Sequence, residues 1–264
     1  MDAATHPSNF APTDTLQDRV AVIAGGTGAI GLASARRLAT LGARCVLLYR
    51  SATAEAAAAH AAALPGGSAQ GHSAVHADIT NSATLRAAAA HIASLYGGVV
   101  HILVNSAGHT QAVPAGDLEG LSDEIIDDIL RANFRGPFAT MRAFAPLLKA
   151  SGDGLIVNIS SIAGFTGTGS NLAYAAAKAG IDVVGDALAR ALAPWVRVIS
   201  VSPGVVDSGF VPGRGADFNA KAAATMPLRR VGTADDVAAA VQACATTLRY
   251  VTGTRIVIDG GRHL

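Results

Sequence analysis

The sequence predicts an α/β fold, a single domain on a doubly wound parallel sheet, and three observations carry that expectation. Short β-branched runs alternate along the chain with longer segments rich in Ala and Leu, the pattern of strands returned by helical crossovers. Most of the runs lack polar alternation, as strands covered on both faces do. With 264 residues, 50% of them hydrophobic, one such domain can bury its core without help from a metal or crosslink.

In chain order, strands are expected at 20–24, 45–49, 100–104, 155–159, 196–201 and 255–258, with a weaker candidate at 72–77. Between them, 31–41, 82–96, 124–131, 138–149, 172–192 and 235–246 have helical length and composition. The alanine-dominated stretches 54–63 and 87–90 are good helix formers with little side chain to offer chemistry. Residues 1–18, where Pro7 and Pro12 mix with Asn, Ser and Thr, are expected to form a flexible arm, and 19–264 the domain. Gly and Pro interrupt every possible element in 202–230, the pattern of a lid or binding loop.

Charge and composition narrow the function. The formal net charge of +1, from 20 basic and 19 acidic side chains, gives no excess field to hold a nucleic acid or an anionic membrane. No uninterrupted apolar run reaches the roughly eighteen residues a membrane helix needs, and the first eighteen residues lack the pattern of a signal peptide. A cytoplasmic location and a small-molecule partner are expected. Cys45 and Cys244 suggest neither a disulfide framework nor a metal pair, and no metal site is expected.

The strand at 20–24 runs directly into Ala24-Gly25-Gly26-Thr27-Gly28-Ala29-Ile30-Gly31 and then a helix. Glycines there let the chain turn tightly and bring N–H groups and a helix N-terminus against a pyrophosphate, which makes Gly25, Thr27, Gly28 and Ile30 candidate dinucleotide contacts. At the end of the second strand stand Tyr49, Arg50 and Ser51, with no carboxylate before Glu55. An acid there selects the ribose hydroxyl of NAD, whereas Arg50 and Ser51 suit the 2′-phosphate of NADP. NADP is therefore the expected cofactor and NAD a possible one; the plainer alternative is an arginine ending a strand in solvent. Tyr174 and Lys178 stand four apart in 172–192 and share a helix face, with Ser161 just after the strand at 155–159.

These positions complete a wider pattern: AGGTGAIG at 24–31, HAD at 76–78, NSAG at 105–108, ANF at 132–134, NISS at 158–161, YAAAK at 174–178, SPG at 202–204 and VTGTRIVIDGG at 251–261. From Arg19 onward the chain resembles the short-chain dehydrogenase/reductase family in its single-domain branch, which implies a Rossmann fold. Ala24, Ala29 and Ser106 stand where the family usually has Thr, Gly and Asn.

The resemblance implies that Tyr174 donates a proton to the developing alkoxide while Lys178 stabilises the phenolate and contacts the nicotinamide ribose. It gives Ser161 to the substrate oxygen and Asn133 to a water chain that returns protons to the lysine. Asp78 would pair with adenine, followed by Ile79; Asn105, Ala107 and Gly108 would line the cofactor; and Pro203, Gly204, Val206 and Ser208 would hold the carboxamide. Singly, each of the four catalytic candidates has an ordinary role, as a helix cap, a turn residue, a solvated lysine or a tyrosine at a core rim. Their combination implies an NADP-preferring oxidoreductase that interconverts a ketone and a secondary alcohol.

Two alternatives share the motifs. A 3-oxoacyl-[acyl-carrier-protein] reductase would need basic docking residues where Gly152 and Trp195 stand, with Lys149 and Arg197 only nearby. A catalytically silent sensor would be expected to have lost one of the four positions. The pocket candidates His109, Thr110, Gln111, Phe165 and Thr168, with Asn171, Val205, Phe210 and Val211, suggest an uncharged or lightly polar substrate. The resemblance further implies a homotetramer, assembled through the 138–149 and Tyr/Lys helices and through the last strand and helix.

Overall fold

The computed structural model describes residues 12–213 and 217–264. Seven strands form one parallel sheet: β1 (Val20–Ala24), β2 (Arg44–Tyr49), β3 (Ser73–His76), β4 (Ile102–Asn105), β5 (Gly154–Ile159), β6 (Val196–Pro203) and β7 (Thr254–Ile258). Their order is β3-β2-β1-β4-β5-β6-β7. The winding reverses between β1 and β4, where Ala24 registers with Asn105, and a doubly wound sheet opens its ligand crevice at that point, outside the strand ends. This is the expected fold class, and the weak candidate at 72–77 is the edge strand β3.

Helices α1 (Ala29–Thr40), α2 (Ala54–Ala62), α3 (Ser82–Leu95), α4 (Asp123–Leu130) and α5 (Gly136–Ala150) precede β5, and α6 (Ala163–Thr166) and α7 (Leu172–Leu192) precede β6. Between β6 and β7 come α8 (Phe218–Thr225) and α9 (Ala234–Ala245). Because strand side chains alternate between faces, Ala21 and Ile23 pack beneath Leu38 of α1 and Val237 and Val241 of α9. Val20, Val22 and Ala24 pack on the other side with Leu85 and Ile92 of α3, Phe144 of α5 and Ile181 of α7. The two cores hold the sheet between them, so the loops at its C-terminal edge start from fixed positions.

Four local expectations are corrected. The helices expected separately at 124–131 and 138–149 are joined, because a π-helical turn at Arg131–Arg135 carries α4 into α5 with helical backbone throughout. The fourth strand starts at Ile102 rather than residue 100; Val100 is buried, but its N–H donates to the Leu147 carbonyl instead of a neighbouring strand. Of the expected arm, residues 1–11 lie outside the described residues, whereas 12–18 include a fastened stretch. Leu16 is buried against the α1 side of the sheet, and the N–H groups of Thr13 and Leu16 donate to the carbonyls of Thr246 and Leu41. In the expected lid at 202–230, residues 214–216 lie outside the described residues and α8 supplies an element that the sequence reading did not include.

Candidate active site

The turn after β1 is shaped by close approach. Gly25 has φ +75°, and a Cβ there would lie 2.8 Å from the Ala107 backbone; at Gly31 a Cβ would lie 2.2 Å from the Gly25 carbonyl oxygen. Gly28 caps α1 without a side-chain hydrogen bond, and no acid occupies the first helical turn. The positive end of the helix is thus left to an anionic ligand, and the bare backbone admits one closely. These features fit the pyrophosphate of a dinucleotide.

From this turn a cleft of about 630 Å³ runs across the strand ends. Gly25, Thr27, Gly28 and Ile30 line it beside Arg50 and Ser51. Ile79, Ala107 and Gly108 follow, and then Pro203, Gly204, Val206 and Ser208. Ser161, Tyr174 and Lys178 also line it. The Arg50 Nε donates to the Ser51 hydroxyl at 3.3 Å, so the two side chains share one locus beyond β2.

Three expected site residues lie off the lining. Asp78 turns back on its own loop, where its carboxylate accepts from the Thr80 N–H and hydroxyl, both at 2.8 Å. Partial burial pushes that carboxyl up, but the Thr80 bonds and the Arg50 charge outweigh it and the pKa is lowered. Asn105 is buried between strands, with its Nδ2 donating to Asn158 Oδ1 at 2.9 Å. Asn133 is fully buried in the π-helical turn, donating to the carbonyls of His109 at 2.8 Å and Ile129 at 3.0 Å. Its Oδ1 accepts no hydrogen bond among the described residues, and a Cβ on Gly108 would lie 2.5 Å from it.

The reactive end is organised by α7. Asn171 caps the helix, its Oδ1 accepting from the Tyr174 N–H at 2.7 Å, and the Tyr174 ring stands 5.9 Å from that of Phe210. One turn on, Lys178 is 5% exposed, with its ammonium 2.8 Å from the Ile159 carbonyl oxygen and 5.5 Å from the Tyr174 ring centroid. Burial pushes the lysine pKa down from 10.5 to about 8, partly offset by Asp182. Ser161 Oγ accepts from the Ala163 N–H at 3.1 Å, which leaves its own hydrogen to donate. A buried ammonium, a phenol and a hydroxyl thus border one cleft, a set that can supply a proton and stabilise charge on oxygen.

Of the pocket candidates, His109, Thr168, Val205, Phe210 and Val211 line the cleft. Thr110, Gln111 and Asn171 are not in the lining; Asn171 Nδ2 donates to Thr110 Oγ1 and to the Gln111 carbonyl. Phe165 turns outward under the Arg255 guanidinium. Sequence reading missed Thr80, Phe218 and Arg262, which also line the cleft; no spacing in the C-terminal tail marked Arg262. His72 and His76 have a spacing that would share a helix face, but they belong to the edge-strand region. Among the described residues no group of three or more His, Cys, Asp or Glu could hold a metal, and no helix is long and apolar enough to cross a membrane.

A Rossmann sheet with this turn and cleft has the form of a dinucleotide-binding protein. A family model described as Enoyl-(Acyl carrier protein) reductase matches residues 25–263. The protein described as ketoacyl reductase 2 of the granaticin polyketide synthase, from Streptomyces violaceoruber, is 36% identical over 256 residues, covering 96% of this chain and 99% of that one. Carbonyl reductase family member 4 of Danio rerio is 33% identical over 247 residues, covering 93% and 98%. Among solved structures, a short-chain dehydrogenase/reductase of the glucose/ribitol dehydrogenase type from Brucella melitensis superposes with a TM-score of 0.87 at 28% identity, covering 96% and 99%. The chain belongs to the short-chain dehydrogenase/reductase family, whose oxidoreductases act on alcohol and ketone groups.

Proposed function

We propose that the chain is an NADP-preferring reductase that interconverts a ketone and a secondary alcohol, with Tyr174 as general acid and base. The observation that carries this reading is the meeting of Ser161, Tyr174 and Lys178 in the cleft that Arg50 and Ser51 enter at its other end. The cofactor supplies the hydride. Ser161 donates a hydrogen bond to the substrate oxygen, and Tyr174 gives that oxygen a proton as negative charge develops. The Lys178 ammonium favours the phenolate left behind, and its other N–H bonds serve the ribose hydroxyls. Asn133 acts from behind, holding the backbone at His109 while its free Oδ1 offers an acceptor for a water.

For the cofactor, Gly25, Thr27, Gly28 and Ile30 cradle the pyrophosphate and Arg50 and Ser51 take the 2′-phosphate. Ile79, Ala107 and Gly108 line its adenosine half, with Asp78 and Asn105 shaping the loops that carry them. Pro203, Gly204, Val206 and Ser208 receive the carboxamide. Carrier-protein reduction is less well supported: Arg197, the nearest arginine to one docking position, is 5% exposed and donates to the carbonyls of Leu248, Val251 and Cys244. The free, buried cysteines suit a reducing cytoplasm.

Absorbance assays with NADPH and NADH over a panel of ketones test the reading, alongside Arg50→Ala. NADPH should be the better cofactor, and the variant should raise KM for NADPH far more than for NADH. Equal effects on both cofactors would remove the NADP assignment, and no turnover of any ketone or alcohol would remove the activity.

A further inference from the structure

Arg50, Lys178 and Arg262 line the cleft and among the described residues no Asp or Glu does, although Asp78 acts on Arg50 and Asp182 on Lys178 from outside the lining. Arg50 and Lys178 have roles in the proposed reaction; Arg262 does not. It follows β7 in a turn built on Asp259, whose carboxylate accepts from the N–H groups of Gly261 at 2.9 Å and His263 at 2.8 Å and lies 2.7 Å from the His263 ring. That acid is occupied by its own turn. Arg37, Arg230 and Arg249 are matched by Asp235, Asp236 and Asp153, whereas Arg262 forms no ion pair among the described residues.

Strand order separates Arg262 from the cofactor phosphates. From β2, which ends beside Arg50, to β7 is five strand steps, or about 24 Å at the spacing of a sheet. The pyrophosphate turn after β1 is four steps away. Arg262 instead belongs to the reacting end: Gly204 N–H donates to the Ile258 carbonyl, and the His263 ring packs edge-on against Phe165, in the short helix that follows Ser161.

We propose that Arg262 binds an oxyanion carried by the substrate, so that the ketone or alcohol turned over here bears a carboxylate or a phosphate ester. The guanidinium fork matches either group with two parallel N–H bonds, and the cleft lining offers no carboxylate to compete. This assignment rests on the reading that the carbonyl lies at Ser161 and Tyr174, and it replaces the uncharged substrate suggested by the sequence.

Two measurements test it. In the first, hexanoate, hexyl phosphate and neutral hexanamide, none with a ketone to reduce, are titrated calorimetrically into the full-length protein saturated with NADP⁺. At least one anion should bind about tenfold or more tightly than the amide, the tighter anion identifying the group. The preference should collapse in Arg262→Gln and return in part in Arg262→Lys. Anions binding no tighter than the amide, or a preference that survives in Arg262→Gln, overturns the assignment. In the second, the ratio of kcat/KM for 4-oxopentanoate to that for its methyl ester should fall in Arg262→Gln. If no ketone is reduced at all, the reductase reading fails while the binding titration still decides the anion site.

Discussion

The ammonium of Lys178 donates a 2.8 Å hydrogen bond to the carbonyl oxygen of Ile159, the last residue of β5. The bond ties the buried face of α7 to the strand edge where the cleft begins, and it holds the charge beside the Tyr174 ring in a nearly dry setting.

That burial has a signature in stability. The Lys178 pKa falls from 10.5 to about 8 because the charged form is desolvated. Between those values the unfolded chain binds a proton that the folded chain does not, so stability rises with pH across the window. Below the folded pKa both states are protonated and the contribution is flat. Denaturant unfolding of the parent and Lys178→Met should show the parent gaining on the variant as pH climbs from about 8 to about 10.5, and parallel profiles would contradict the burial argument.

Tyr174→Phe keeps the ring and its packing on Phe210 but removes the hydroxyl. Turnover should fall by about 10²–10⁴-fold, the usual scale of positioned proton transfer, with NADPH affinity close to the parent value. Lys178→Ala should damage turnover and cofactor affinity together. Near-parental turnover in Tyr174→Phe, with hydride transfer shown to be rate-limiting, would remove the tyrosine from the acid role.

Gly31→Ala puts a methyl group 2.2 Å from the Gly25 carbonyl oxygen, and backbone cannot yield there as a side chain tip could. A loss of about 1–3 kcal/mol, the range for overpacking, should accompany weaker NADPH binding in thermal unfolding and fluorescence titration. Full retention of both would show that the turn is looser than its contacts indicate.

Light scattering at micromolar concentration should report a homotetramer. Val183 on α7 is 68% exposed and Phe138 on α5 is also exposed, an apolar pair on the helices expected to meet a second copy. β7 is one of the sheet's two edge strands, and Tyr250 just before it is 93% exposed. Closed assemblies bury such faces against themselves. A monomer mass would end the expectation.

The strands and the glycine turn were legible because both follow from local chemistry: unbroken β-branched runs must be covered on two faces, and a turn that passes within van der Waals contact of Ala107 excludes side chains. The π-helical turn was not legible, since Arg131–Arg135 is only five residues long and one inserted residue cannot be told from a helix break over so short a stretch. Asp78 and Asn105 have suitable chemistry at suitable positions, yet each carboxylate or amide turns to a partner of its own, and side-chain direction is a tertiary fact. Leu16 read as part of a loose segment because its neighbours are polar; only the apolar cluster it joins, with Ile102, Leu155 and Ala245, makes its burial favourable. Arg262 depended on the register of β7 against β6, which brings the chain end back over the crevice.

The chain carries a net charge of only +1, yet a ligand approaching the cleft meets a different molecule. The lining carries Arg50, Lys178 and Arg262 and, among the described residues, no Asp or Glu, and a cleft focuses the field of charges that border it. Capture therefore has an electrostatic component that bulk charge conceals: anionic ligands are drawn toward the opening before any contact forms, and added salt slows their arrival while leaving neutral ones nearly unaffected.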